Sequence, residues 1–251
     1  MALYSCADCQ YEYPDGAFEQ TPPEERLCPG CGGPRFNVRV YSSTVRIIPA
    51  MGSSVLVGSN LWASWLRVAI QHTGVAHHAR SSAASAQGDD LLIWMSREFE
   101  AAIVAVSASA HSLDAFYGSS AISQAVRDQW KNTSTRRHGK IREALKQVFN
   151  TGPMNNHWTS EFEWLFDLRD AALHAQEKSG PPVLHPLGTG TAQESVNYSV
   201  ESAERALNLA MSVLAWCVDH PRESLPDTVS WVSLHKQTVA KLVKERNSST
   251  G

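Results

Sequence analysis

Apolar residues recur at steps of three and four along two long stretches of the chain. From Leu92, the positions Met95, Phe99, Ile103, Val106, Ala110, Leu113 and Tyr117 trace one face of a helix, as a turn of 3.6 residues requires. Asp89 or Asp90 suits the start of that helix and Gly118 its end. Val200, Ala203, Leu207, Ala210, Leu214 and Cys217 form a second seam that stops before Pro221, a residue that breaks helices. Two shorter helices are predicted over 135–149, ended by Gly152-Pro153, and over 161–177. A last one runs from Pro226 to about Arg246 with Val232, Val239 and Leu242 on its inner side. Antiparallel helices with apolar seams and moderate connections make a helical bundle, and no internal repeat is visible.

The pattern changes ahead of Leu92. Phe36-Asn37-Val38-Arg39-Val40 alternates apolar and polar, and Val45-Arg46-Ile47 resumes the alternation after Ser42-Ser43-Thr44, which predicts a short β-hairpin. Arg35, Arg39 and Arg46 give it a basic side, suited either to phosphate or to plain solvation. From Ile48 to Gln87 the chain is rich in Gly, Ser, Ala and His with poor periodicity and reads as a linker holding some strand or helix. The expected organisation is therefore a small module over 1–35, short strands and linker over 36–88, and a helical bundle over 89–247.

Cysteine spacing identifies the first module. Cys6-Ala7-Asp8-Cys9 and Cys28-Pro29-Gly30-Cys31 stand eighteen residues apart, the spacing of a zinc ribbon in which two knuckles each give two thiolates to a tetrahedral ion. Gly30, Gly32 and Gly33 supply the backbone freedom that the second knuckle needs. Four sulfur ligands close the coordination shell, so the expected Zn²⁺ is structural; a redox dithiol needs only one such pair. The fifth cysteine, Cys217, falls on the apolar seam as a small buried hydrophobe.

Composition limits the function classes. Among 251 residues, 43% are hydrophobic and 19% charged, which excludes a dominantly disordered chain. With Lys+Arg 22 against Asp+Glu 25 the net charge is −3, so a nucleic-acid partner requires a local basic patch. The longest uncharged stretch, Ile47 to Leu66, contains Pro49, Gly52, Gly58 and Asn60 and predicts no membrane span. The start Met1-Ala2-Leu3-Tyr4-Ser5 lacks the basic and apolar regions of a signal peptide, so a cytoplasmic, reducing location is expected.

Candidate chemistry concentrates on the helix beginning near Ser160. Ser160-Glu161-Phe162-Glu163 has the capping-box pattern. Arg169 falls in the middle of the stripe Phe162, Leu165, Phe166, Ala172, Leu173, where a guanidinium must meet an anion or line a cleft. Asp170 and His174 stand at i and i+4, so the carboxylate can orient the imidazole. Arg136, Arg137, Lys140 and Arg142 make the densest basic run, a candidate phosphate track or a solvated helix face. His72, His77, His78 and His111 form no set with a carboxylate at helical ligand spacing. The eight tryptophans, Trp158 and Trp164 among them, suit a core better than a stacking platform.

The run Arg169-Asp170-Ala171-Ala172-Leu173-His174 resembles the R-[N/D/H]-x-x-x-H motif of HEPN-domain ribonucleases, over approximately residues 90–220 and with the N-terminal ribbon outside it. A second Arg-x-x-x-x-His match, Arg67 to His72, lacks the polar residue after Arg. The resemblance implies an all-α bundle, cleavage of RNA without a catalytic metal, a homodimer whose two motif helices face one cleft, and a role in defence or toxin-like growth arrest, with a cognate inhibitor or regulatory protein as partner. Arg169, Asp170 and His174 are the catalytic residues it implies. Histidine titrates in the range that acid–base catalysis needs, and a guanidinium stabilises phosphorane charge. On a straight helix Arg169 and His174 diverge by about 140°, which favours a site built from two copies. The competing reading is a non-catalytic nucleotide- or protein-binding module, in which Arg169 pairs inside the bundle and His174 is an ordinary surface residue.

Overall fold

The period-three-and-four seams become helices packed on one another, and in a computed structural model of the 251-residue chain the protein is mainly helical. The structure describes residues 2–6, 29, 36–40, 43–47, 56–152, 154–174 and 181–249. Cys9, Cys28 and Cys31 of the expected ribbon lie outside the described residues, and Cys6 closes the first strand. The chain divides into an N-terminal unit, Met1–Leu61, and a larger unit, Trp62–Gly251.

The N-terminal unit holds an antiparallel meander of β1 (Ala2–Cys6), β2 (Phe36–Val40), β3 (Ser43–Ile47) and β4 (Leu56–Ser59), in that order. The predicted hairpin is present, with Val40 opposite Ser43 and Phe36 opposite Ile47. β1 is paired with β2 along its whole length, Cys6 opposite Phe36, so the strands on either side of residue 35 share one sheet. The register sets Tyr4, Val38, Val45 and Val57 in one cross-strand row.

The larger unit begins with a helix where the pattern predicts a linker. α1 spans Leu61–Ala83, and its buried positions Trp62, Leu66, Ala69, Thr73, Ala76 and Ala83 follow helical spacing. Most of them are Ala or Thr, which carry little hydrophobic contrast, so the period is faint although the helix is long. The turn after it ends at Gly88, whose φ of +58° is strained for a side chain bearing Cβ. α2 (Gly88–Tyr117) then runs back with Asp89 and Asp90 in its first turn and stops at Gly118 as expected. The Ser112 hydroxyl donates to the Trp62 carbonyl at 2.9 Å, tying the two helices together.

α2 is the central element of the bundle. Against it pack α4 (Arg137–Val148), α5 (Met154–Leu173) and α7 (Val200–Asp219), while α8 (Pro226–Ser249) covers α7 and the short α3 (Gln124–Asp128) lies against α4. Every residue of the Val200–Cys217 seam is buried, as are Val232, Val239 and Leu242 of α8. α8 is docked by Trp231, whose ring lies 4.9 Å from Phe116 and 5.6 Å from Trp62. Large rings such as these supply most of the stabilisation, about 1.5–3 kcal/mol for each fully buried aromatic or aliphatic side chain. Cys217 is fully buried, and burial pushes its thiol well above the usual range. No helix of the described residues is long and apolar enough to cross a membrane.

α5 differs from its prediction at both ends. It is already helical at Met154, so Ser160 and Glu163 do not cap its start; the Ser160 hydroxyl instead meets the His157 carbonyl at 3.5 Å. Gly152, at φ +39°, turns the chain just ahead of it, so Gly152-Pro153 opens this helix as well as closing α4. The helix stops at Leu173, which is exposed, whereas Trp158, Phe162, Leu165 and Phe166 are buried. Between α5 and α7 the chain forms a small hairpin, β5 (Val183–Leu184) with β6 (Gly190–Thr191), followed by α6 (Gln193–Asn197).

Candidate nucleic-acid site

Arg169 occupies the last full turn of α5 with its side chain only 12% exposed. Its Nε and Nη2 donate to Asp170 Oδ1 at 2.9 and 2.6 Å, and its Cζ lies 4.6 Å from the centre of the buried Phe166 ring. The guanidinium is thereby held on two sides, with Nη1 bonded to no other described residue. The backbone beneath it is pinned as well: the Tyr198 hydroxyl donates to the Leu168 carbonyl at 2.7 Å, and burial, then Glu194, keeps that phenol protonated.

Asp170 therefore serves Arg169 and not the imidazole it was expected to orient. His174 is exposed, and its side chain bonds no other described residue; only its N–H acts, closing the helix on the Asp170 carbonyl at 3.0 Å. The reason lies in reach, since a neighbouring guanidinium brings two donors to one carboxylate oxygen and a charge that an exposed imidazole lacks when neutral.

A histidine on another helix lies within the field of Arg169. His111 of α2 is pushed below the usual imidazole range by burial and then by the Arg169 charge, with Asp114 opposing. The Trp65 indole of α1 lies against it, ring centres 4.9 Å apart and planes inclined by 35°, while remaining 38% exposed. Asp114 in turn accepts from Arg137 Nε at 2.5 Å, and Arg137 Cζ stands 4.5 Å over the Tyr117 ring.

The expected phosphate track on α4 is largely occupied from within. Arg136 is paired with Asp167 and, at 3.6 Å, with Glu163 of α5. Arg137 is held by Asp114, and Arg142 lies 3.0 Å from Glu143, which also takes Lys146 at 2.8 Å. Lys140 pairs with no carboxylate among the described residues. His138 sits among these charges and is lowered by burial first and by Arg136 next. α4 thus contributes an ion-pair lattice against α5 more than a free cationic surface, because the acids of α5 recur at the same helical spacing as the bases of α4.

One cluster is invisible in the pattern of the chain. Glu98 of α2 is 1% exposed and receives Arg80 Nε at 2.7 Å, Arg80 Nη2 at 2.5 Å and the Val200 N–H at 3.0 Å. Arg80 Nη1 reaches Glu201 at 2.8 Å, and the Nε2 of buried His185 lies 3.9 Å from Glu98. Burial opposes the Arg80 charge, but its bonds to Glu98 and Glu201 raise the guanidinium pKa further; burial would likewise raise Glu201, yet the Arg80 bond holds that carboxyl at about 2. His185 accepts the Leu187 N–H on Nδ1 at 3.3 Å, and burial keeps the ring below the usual range. The cluster joins α1, α2, the β5–β6 hairpin and the start of α7. Its one sequence-level sign is an acid at a position of α2 that otherwise faces the core, three residues before Ala101.

The remaining histidines are dispersed. His77 meets Glu204 at 2.8 Å, His78 packs edge-on against Trp94, and no group of three or more metal-ligating side chains occurs among the described residues. Arg67, of the second Arg-x-x-x-x-His match, pairs with Glu245 at 3.5 Å on an open groove beside Lys241 and Lys244. The chain matches no family model, no curated protein and no solved structure.

Proposed function

We propose that the helical unit is a metal-independent endoribonuclease of the HEPN type, in which Arg169 stabilises charge on the scissile phosphate and His174 is the acid–base group. In this reading the 2′-hydroxyl attacks the adjacent phosphorus, the O2′–P bond forms, and the P–O5′ bond breaks. The products are a 2′,3′-cyclic phosphate and a 5′-hydroxyl; one base takes the 2′ proton and one acid protonates the departing 5′-oxygen. The reading includes a homodimer that faces two α5 helices across one cleft, a cytoplasmic protein, a cognate inhibitor or regulatory protein, and a structural Zn²⁺ held by Cys6, Cys9, Cys28 and Cys31.

The observation that carries it is the state of Arg169. A guanidinium held by a carboxylate and an aromatic face, with one nitrogen uncommitted, is preorganised for a phosphate oxygen and needs no rearrangement to meet it. The alternative, a non-catalytic nucleotide- or protein-binding module, draws on the Asp170 contact to Arg169, which leaves His174 without an orienting acid. Purified protein incubated with total RNA in EDTA, wild type beside His174→Ala, separates the two. Cleavage by the wild type that falls by two or more orders of magnitude in the variant supports the nuclease, that being about the scale of a lost acid–base group. RNA left intact by the wild type supports the binding module.

A further inference from the structure

We propose that His111, on α2, is the proton acceptor that works beside Arg169, and that the Trp65 indole packed against it is the stacking platform for a base of single-stranded RNA. This inference rests on the nuclease reading and adds to it a site made from three helices of one chain.

Arg169 and His174 leave α5 about 140° apart, so within one chain the guanidinium has no imidazole of its own helix at hand. His111 fills that place from the neighbouring helix. It lies in the field of Arg169, and Asp114 is the other charge acting on it. Asp114 is itself engaged by Arg137, which weakens its hold on the imidazole. A ring so placed is neutral near neutral pH, the form that can take a proton from a 2′-hydroxyl. Arg169 meanwhile offers Nη1 to the phosphate oxygen, so proton acceptor and charge stabiliser serve one nucleotide linkage.

Trp65 contributes what the other buried tryptophans cannot. Trp62, Trp158 and Trp231 are enclosed in the core, whereas Trp65 lies against His111 at 4.9 Å and keeps 38% of its surface exposed. An indole fixed on one side by an imidazole and open elsewhere is a sequence-tolerant platform, and base–aromatic stacking contributes about 1–3 kcal/mol. The balance of the step is simple: the 2′-hydroxyl gives its proton to the His111 ring as O2′ bonds phosphorus, and the 5′-oxygen leaves with a proton from the acid, His174 in the proposed scheme.

The test uses the full-length protein, a short ribo-oligonucleotide and its 2′-O-methyl analogue, which binds but cannot be cleaved. His111→Gln is expected to lower kcat by about 100-fold or more and to abolish the acidic limb of the kcat/KM profile, which a purely structural defect would leave in place. Trp65→Phe is expected to raise KM roughly 10-fold with little change in kcat, the scale of one lost stacking contact. In the wild type, the 2′-O-methyl analogue should shift the His111 ring resonances, a measurement that stands even if His111→Gln folds poorly. An unchanged acidic limb in a folded His111→Gln that still cleaves RNA, or His111 resonances unmoved by saturating analogue, overturns the inference while the nuclease reading survives. A wild type that cleaves no RNA overturns both.

Discussion

Replacing Glu98 by alanine should destabilise the helical unit by about 3 kcal/mol. The carboxylate is buried and receives three hydrogen bonds, two from Arg80 and one from the first N–H of α7. Removing one partner of a buried ion pair costs about 3–5 kcal/mol because the other charge is left uncompensated. The lower end applies here, since Arg80 keeps Glu201 at 2.8 Å and is not wholly buried. To this is added the uncapped Val200 N–H, a loss of about 1 kcal/mol in other helix starts, partly offset by water entering the space. Urea unfolding followed by far-ultraviolet circular dichroism measures the effect, and with a slope of about 2 kcal/mol/M the midpoint should fall by about 1.5 M. Glu98→Gln, which keeps the bond to Val200, should cost less. The exposed pair of Lys236 with Asp219, 3.3 Å apart, is the control: Lys236→Ala should cost at most about 0.5 kcal/mol. If Glu98→Ala unfolds within about 0.3 M of the wild type, the cluster does not join these elements in the manner described.

Acid should loosen the same region in two stages. The unfolded chain protonates His185 near 6.5 while the folded ring resists it, so stability drops as the pH falls through that value; Glu201, folded at about 2 against 4.5 unfolded, adds stability above 4.5 that is lost between 4.5 and about 2. Chemical denaturation at a series of pH values checks both, and a midpoint flat from neutrality to below pH 4 would falsify the assignment. Phe166→Ala should cost about 3–5 kcal/mol through its cavity and should also weaken nucleotide binding, since Arg169 loses the face it lies on; a folded variant binding the 2′-O-methyl analogue as wild type refutes that link. Metal analysis should find one zinc per chain, lost together with the ion's protection of the thiols in Cys28→Ser, and a metal-free protein with all thiols reactive counts against the ribbon. Sedimentation at micromolar concentration should give a homodimer if two α5 helices share a cleft, and a monomer that cleaves RNA would point to the single-chain site alone.

The parts of the fold legible in the chain are those governed by local periodicity. The seams of α2 and α7 and the inner side of α8 follow from a repeat of 3.6 residues, and the 36–47 hairpin follows from alternation. Gly118 ends α2 where a glycine is expected, for a reason contained in the residue and its neighbours. α1 escapes the same reading because its inward stripe is mainly Ala and Thr; its burial depends on what packs against it, not on its own hydrophobic contrast. The start of α5 escapes because Gly152-Pro153 ends one helix and opens another, and the side of a boundary that such a pair serves is settled by the backbone around it.

The chemistry divides along the same line. Arg169 is conspicuous in sequence because a cation interrupts an apolar stripe, and that much needs only helical geometry. Its partner is another matter: Asp170 is adjacent to Arg169 and one turn from His174, and only the packed side chains settle that it serves the guanidinium. The bases of α4 look like a phosphate track until α5 and α2 bring Asp167, Glu163 and Asp114 against them. Arg80 finds Glu98 eighteen positions away and Glu201 across 121, and His111 comes to Arg169 from another helix altogether. Helical and strand periods are properties of a few consecutive residues and survive in the linear pattern. Ion pairs, buried acids and the company of an imidazole depend on which distant surfaces meet, and that is set only when the apolar seams have packed.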